Sequence, residues 1–153
     1  MMEKKLNILL IEDNQVHIML IKQSFNELGK YDYNFTVIDN GYRAKQFFNT
    51  VMDNPKAILP DLIFLDLDLP KVNGIEVLRF IKKKPLLRHI PVLILSGSAE
   101  HSEMMKCYKY YCSSYLQKPI NADGFKDLVV AIEKFWFGVA LLPTILTTEE
   151  IEN

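Results

Sequence analysis

Four apolar residues in a row, Leu62-Ile63-Phe64-Leu65, stop at Asp66. A run this short with no polar alternation predicts a strand covered on both faces. Such a strand belongs in a sheet held between two layers of helices. The pattern recurs. Leu6 to Ile11 is apolar except for Asn7 and ends at Glu12-Asp13-Asn14, and Ile90 to Leu95 ends at Ser96-Gly97-Ser98. Two shorter strands, Phe35 to Ile38 and Ser114 to Gln117, complete a set of five, with the third continuing to Leu67.

Helical rhythm fills the intervals. Val16 to Leu28 places Ile18, Leu20, Ile21, Phe25 and Leu28 on one stripe, and Gly29 closes it. Tyr42 to Met52, Ile75 to Lys83, Glu100 to Tyr110 and Asn121 to Phe137 follow. Strand and helix therefore alternate five times. This is the pattern of an α/β, doubly wound parallel sheet with helices on both faces.

A chain of 153 residues is enough for one domain with a sizeable core. A net charge of −1 gives no electrostatic footprint for nucleic acid or an anionic membrane. No apolar stretch reaches membrane-spanning length, and Met1-Met2-Glu3-Lys4-Lys5 lacks a signal-peptide layout. Cys107 and Cys112, five apart, fit neither a redox pair nor a zinc knuckle, so both read as reduced residues of a cytoplasmic protein. The polar, acidic tail Thr147 to Asn153 reads as frayed.

Chemistry gathers at the strand ends. In a parallel sheet the residues at the carboxyl ends share one rim, the usual ligand site of open α/β folds. Here these residues are Glu12, Asp13, Asp66, Asp68, Ser96 and Lys118. Two carboxylates about 4 Å apart repel by about 4 kcal/mol at an effective dielectric near 20. A hard divalent cation relieves that repulsion, and Mg2+ suits a site of few carboxylates that leaves room for water and phosphate oxygens. Lys118 offers positive charge to a phosphoryl group and Ser96 offers a hydroxyl. The set reads as phosphoryl transfer with Asp66 as the carboxylate nucleophile.

Glu12-Asp13, Asp66 with Pro70 four residues on, Ser96, and Lys118-Pro119 resemble the receiver domain of two-component response regulators, over roughly residues 6 to 137. The resemblance implies a flavodoxin-like sheet of order 2-1-3-4-5. It implies phosphorylation of Asp66 by a sensor histidine kinase and Mg2+ held by Glu12, Asp13, Asp66 and the main-chain carbonyl of Asp68. Ser96, Gly97 and Lys118 would then bind the phosphoryl group, Ser96 and Tyr115 would form the switch, and the Lys118-Pro119 bond would be cis. Ile132 to Trp136 and Leu141-Leu142-Pro143 resemble the tail of cyanobacterial-type phytochrome response regulators, single-domain proteins of which several are dimeric.

Residues 1–137 are thus expected to form the receiver and 138–153 a C-terminal extension. Phe135, Trp136 and Phe137 are candidates for a homodimer contact, since adjacent large aromatics cannot share one stripe. With 16 residues after Phe137, the expected output is contact with a downstream protein or phosphorelay rather than DNA binding.

One enzymatic alternative has sequence support. Asp66-Leu67-Asp68 resembles the nucleophile motif of haloacid-dehalogenase-type phosphatases. That motif usually stands on the first strand, however, whereas here an acidic strand end precedes it. His17, His89 and His101 are scattered and receive no role.

Overall fold

Leu62–Asp66 forms a strand in which all five residues are buried, at the centre of the sheet. The computed structural model describes residues 5–143 and residue 151. Its strands are β1 (Lys5–Ile11), β2 (Asp32–Ile38), β3 (Leu62–Asp66), β4 (Val92–Ser96) and β5 (Ser114–Gln117). They pair in parallel in the order β2-β1-β3-β4-β5. The helices are α1 (Gln15–Leu28), α2 (Gly41–Met52), α3 (Gly74–Lys83), α4 (His101–Lys109) and α5 (Ala122–Ile132). The doubly wound fold expected from the alternation is the fold observed.

Successive strand residues point to opposite faces, so the sheet feeds two cores. Leu9, Ile11, Ile63, Leu65, Val92 and Ile94 pack with Phe48 of α2, Val77, Leu78 and Ile81 of α3, and Cys107 of α4. Ile8, Leu10, Leu62, Phe64, Leu93 and Leu95 pack with Ile18, Ile21 and Phe25 of α1 and Phe125, Val129 and Ile132 of α5. Fully burying one such side chain contributes about 1.5–3 kcal/mol. The central strands are therefore anchored from both sides.

Asparagine side chains start four of the helices. Asn14, Asn40, Asn73 and Asn121 each accept a backbone N–H of the first turn, while α4 begins at Glu100 without a side-chain cap. Two glycines let helices close on the β3–α3 loop. A Cβ on Gly41 would lie 1.8 Å from the Val72 carbonyl oxygen, and one on Gly74 would lie 2.3 Å from that of Asp66.

Three local expectations are corrected. First, β2 starts at Asp32 rather than Phe35. As an edge strand it alternates polar and apolar residues, and Tyr33 and Phe35 pack on the α1/α5 core. Second, the last α-helix does not run to Phe137. It ends at Ile132 and continues as a π-helical segment, Glu133–Val139. There the Ala140 N–H bonds the Phe135 carbonyl five residues back at 2.7 Å. The wider coil accompanies an inward turn of Glu133, which is buried and accepts a hydrogen bond from the Tyr33 hydroxyl. Third, no cis peptide occurs among the described residues, so Lys118-Pro119 is trans. Trans is the lower-energy X–Pro form by about 0.5–1 kcal/mol, and here the Lys118 N–H bonds the Ser96 carbonyl at 2.7 Å. The reading of 147–153 as a frayed tail falls outside the described residues except for Ile151, which packs against the α2–α4 core.

Candidate functional site

At the carboxyl rim, β1 delivers Glu12 and Asp13 and β3 delivers Asp66. One carboxylate oxygen from each lies within 4.8 Å of the others. Glu12 and Asp66 are buried and Asp13 is exposed, so the cluster faces solvent on one side. The Lys118 ammonium, just past β5, lies 2.8 Å from Glu12 Oε2 and 3.3 Å from Asp66 Oδ2. The backbone holds the remaining oxygens: the Asn14 N–H donates to Glu12 Oε1 at 3.1 Å and the Asp68 N–H to Asp66 Oδ1 at 3.2 Å. The Asp68 side chain points to solvent.

The electrostatics are unbalanced. Burial, followed by the neighbouring Asp66 charge, raises the Glu12 carboxyl to about 7, against the opposing pull of Lys118. Burial works against the Lys118 charge, but its bond to Glu12 and the charges of Glu12 and Asp66 outweigh it and hold its pKa above the usual lysine value. One ammonium stands against three carboxylates. Glu12 Oε2 is buried, and its one close polar partner among the described residues is the Lys118 ammonium at 2.8 Å. A buried carboxylate held by one lysine, within a group of three carboxylates, fits a divalent cation bound by hard oxygen ligands.

His17, given no role from sequence, belongs to this site. Its Nδ1 lies 3.2 Å from Lys118 Nζ, and its ring lies over Phe125 with centroids 5.3 Å apart. An ammonium has only donors, so Nδ1 accepts. Burial and then the Lys118 charge lower the His17 pKa, consistent with a neutral ring. No sequence signal marks it, because the two residues are 101 apart along the chain.

Ser96 is buried at the end of β4, one residue beyond Leu95, which pairs with Asp66. Its hydroxyl donates to Glu103 Oε1 at 3.0 Å and accepts from the Ser98 N–H at 3.1 Å. Tyr115, on β5, is half-buried, and its hydroxyl donates to Glu103 Oε1 at 2.7 Å, with the Ser98 carbonyl oxygen 2.9 Å away as the alternative acceptor of the same proton. Burial, with the Glu103 carboxylate, pushes the Tyr115 phenol up to about 12, so it keeps its proton. Gly97 is exposed, and a Cβ there would meet nothing within 4 Å. Sequence reasoning missed Glu103 and the close approach at Gly74, although an Asn-Gly pair before an apolar helix was a visible signal for the latter.

The aromatic triplet divides. Phe135 is exposed, whereas Trp136 and Phe137 are half-buried on the α1/α5 core. Phe137 also stacks with Tyr31 and Tyr33 at 6.1 and 5.8 Å.

Comparison with known proteins agrees with this geometry. Residues 8–130 match the response regulator receiver domain. The chain is 37% identical over 131 residues to a probable methanogenesis regulatory protein, FilR2, of Methanothrix harundinacea, covering 86% of this chain and 83% of that one. It is 32% identical over 136 residues to the response regulator Rcp1 of Synechocystis, covering 89% and 92%. The Mn(2+)-bound form of Rcp1 superimposes with a TM-score of 0.81 over 90% of this chain and 99% of that one. The phosphorylated cyanobacterial phytochrome response regulator RcpA, 33% identical, superimposes at 0.85 over 92% and 100%. Nothing in these comparisons supports the haloacid-dehalogenase alternative. The chain belongs to the response regulator receiver domain family, a family of signalling domains rather than of catalytic enzymes.

Proposed function

We propose that Asp66 accepts a phosphoryl group from a sensor histidine kinase and that the phosphorylated chain signals through protein contacts or passes the group onward in a phosphorelay. The observation that carries this reading is the meeting of Glu12, Asp13 and Asp66 within 4.8 Å, with Lys118 at 3.3 Å from Asp66. A phytochrome-type kinase is the first candidate, because RcpA is a phytochrome response regulator.

In the transfer, an Asp66 carboxylate oxygen forms a bond to phosphorus as the phosphorus–nitrogen bond of the phosphohistidine breaks. The histidine ring leaves with the bonding electrons. Mg2+, held by Glu12, Asp13, Asp66 and the Asp68 main-chain carbonyl, would neutralise charge on the carboxylates and phosphoryl oxygens. Lys118 is poised to leave Asp66 Oδ2 for a phosphoryl oxygen. Ser96 supplies a hydroxyl and Gly97 leaves the approach open. Ser96 and Tyr115 form the switch that reports the new charge to the α4–β5 surface.

Residues 1–137 form the receiver in this reading and 138–153 an extension. A homodimer contact through the aromatic triplet is supported by exposed Phe135, continued by exposed Val139 and Leu141. Light scattering on wild type and on Phe135→Glu/Leu141→Glu tests it, and a monomeric wild type ends it. A cytoplasmic location is supported by two free, buried cysteines. No helix among the described residues is long and apolar enough to cross a membrane.

The central test is labelling with acetyl phosphate and Mg2+, followed by intact mass. Wild type is expected to gain one phosphoryl group and Asp66→Asn none. Equal labelling of both would remove Asp66 from its role.

A further inference from the structure

Glu103 is a charged residue in the first turn of α4, within hydrogen-bond reach of both switch residues. One of its oxygens, Oε1, accepts from Ser96 Oγ at 3.0 Å and from Tyr115 Oη at 2.7 Å. A serine hydroxyl has a single proton. While Ser96 gives that proton to Glu103, it has none for a phosphoryl oxygen on Asp66. One of its two lone pairs accepts from the Ser98 N–H at 3.1 Å, which further fixes the hydroxyl's orientation. Ser96 is buried, so exchange with water does not free it cheaply.

We propose that Glu103 is a positioning residue that latches Ser96 and Tyr115 in the unphosphorylated arrangement, so that phosphorylation must win the Ser96 proton from Glu103. This rests on the reading of Asp66 as phosphoacceptor. Two effects release the latch together. Phosphorylation turns a carboxylate of charge −1 into an acyl phosphate of about −1.5 to −2 and carries that charge outward from Asp66. The phosphoryl oxygens compete for the hydroxyl proton, and their charge repels the Glu103 carboxylate. Once Ser96 lets go, Oε1 keeps the Tyr115 phenol as donor, so the tyrosine and α4 move as one unit. The start of α4 suits this part: unlike α1, α2, α3 and α5 it has no side-chain cap, and Cys107 is the one buried residue of this helix. Its first turn can shift without breaking a cap bond.

The test is the affinity for beryllofluoride with Mg2+, followed by fluorine NMR of the bound species, in wild type, Glu103→Ala, Glu103→Gln and each combined with Ser96→Ala. Freeing the hydroxyl from a charged acceptor is expected to tighten binding about tenfold in Glu103→Ala. Glu103→Gln is expected to shift binding the same way by less, and as the conservative change it carries the test should the alanine variant not fold. In the Ser96→Ala background the Glu103 effect should vanish, because the residue acts through that hydroxyl. Unchanged or weaker binding overturns the latch, as does a tightening that survives Ser96→Ala. A wild type that binds no beryllofluoride overturns instead the phosphoacceptor reading beneath it.

Discussion

The two halves of the rim are built differently. On the β1–β3 side, Glu12 follows and Asp66 ends a strand whose last four residues are all buried, and Lys118 spans them at 2.8 and 3.3 Å. On the α4–β5 side, no residue of β5 is buried, α4 lacks a side-chain cap, and Glu103 links Ser96 to Tyr115 across half-exposed space. Chemistry needs fixed geometry, and two-sided burial supplies it. A switch needs two arrangements of similar energy, which thinly buried elements allow. The division of labour follows from how much apolar surface each element covers.

The largest expected break of that contrast is Lys118→Ala. It leaves Glu12 and Asp66 buried without their cation, and metal-free stability in urea should fall by about 3 kcal/mol, with Mg2+ restoring part of it. Tyr115→Phe on the other half removes only a phenol shared with half-exposed groups and should cost about 1 kcal/mol.

A pH series sharpens the same half. Between its ordinary value of 4.5 and about 7, folded Glu12 retains a proton that the unfolded chain has released. In metal-free protein this contribution therefore stabilises at low pH and is lost as pH rises through that interval. Cation binding needs the ionised form, so Mg2+ affinity should rise with pH, by up to about tenfold per unit, and level off above about 7. Calorimetric titration at several pH values checks it; a flat profile would show Glu12 already ionised.

Glycines give a third comparison. Gly74→Ala drives a methyl to 2.3 Å from the Asp66 carbonyl oxygen and should cost about 2 kcal/mol while slowing labelling of Asp66. Gly97→Ala meets nothing within 4 Å and should leave stability within about 0.5 kcal/mol. The smallest effect is at the caps. Asn73→Ala should lose about 1 kcal/mol, whereas Glu100→Ser, which supplies α4 with the cap it lacks, should gain up to about that much in thermal melts.

Much of the site was legible in the chain because a strand buried on both faces is a run of apolar letters. Glu12, Asp66 and Ser96 stand where such runs stop, and the topology brings those stops together. The first half of β2 was harder to read, since an edge strand carries polar residues on one side. The π-helical segment was missed because the pairing of Glu133 with Tyr33 that accompanies it joins residues 100 apart. His17 and Glu103 escaped for a related reason. Each has its function from a partner on another element, and no local pattern encodes that meeting.

Sequence alone determined the sheet, its helical cover and the rim on which the acids meet, because burial writes a periodicity of two or 3.6 into neighbouring residues. Tertiary structure decided the trans form of Lys118-Pro119, the placing of Lys118 among Glu12, Asp66 and His17, and the sharing of Glu103 between serine and tyrosine. Those outcomes depend on distances between elements, and distance in space is the quantity that order along a chain does not carry.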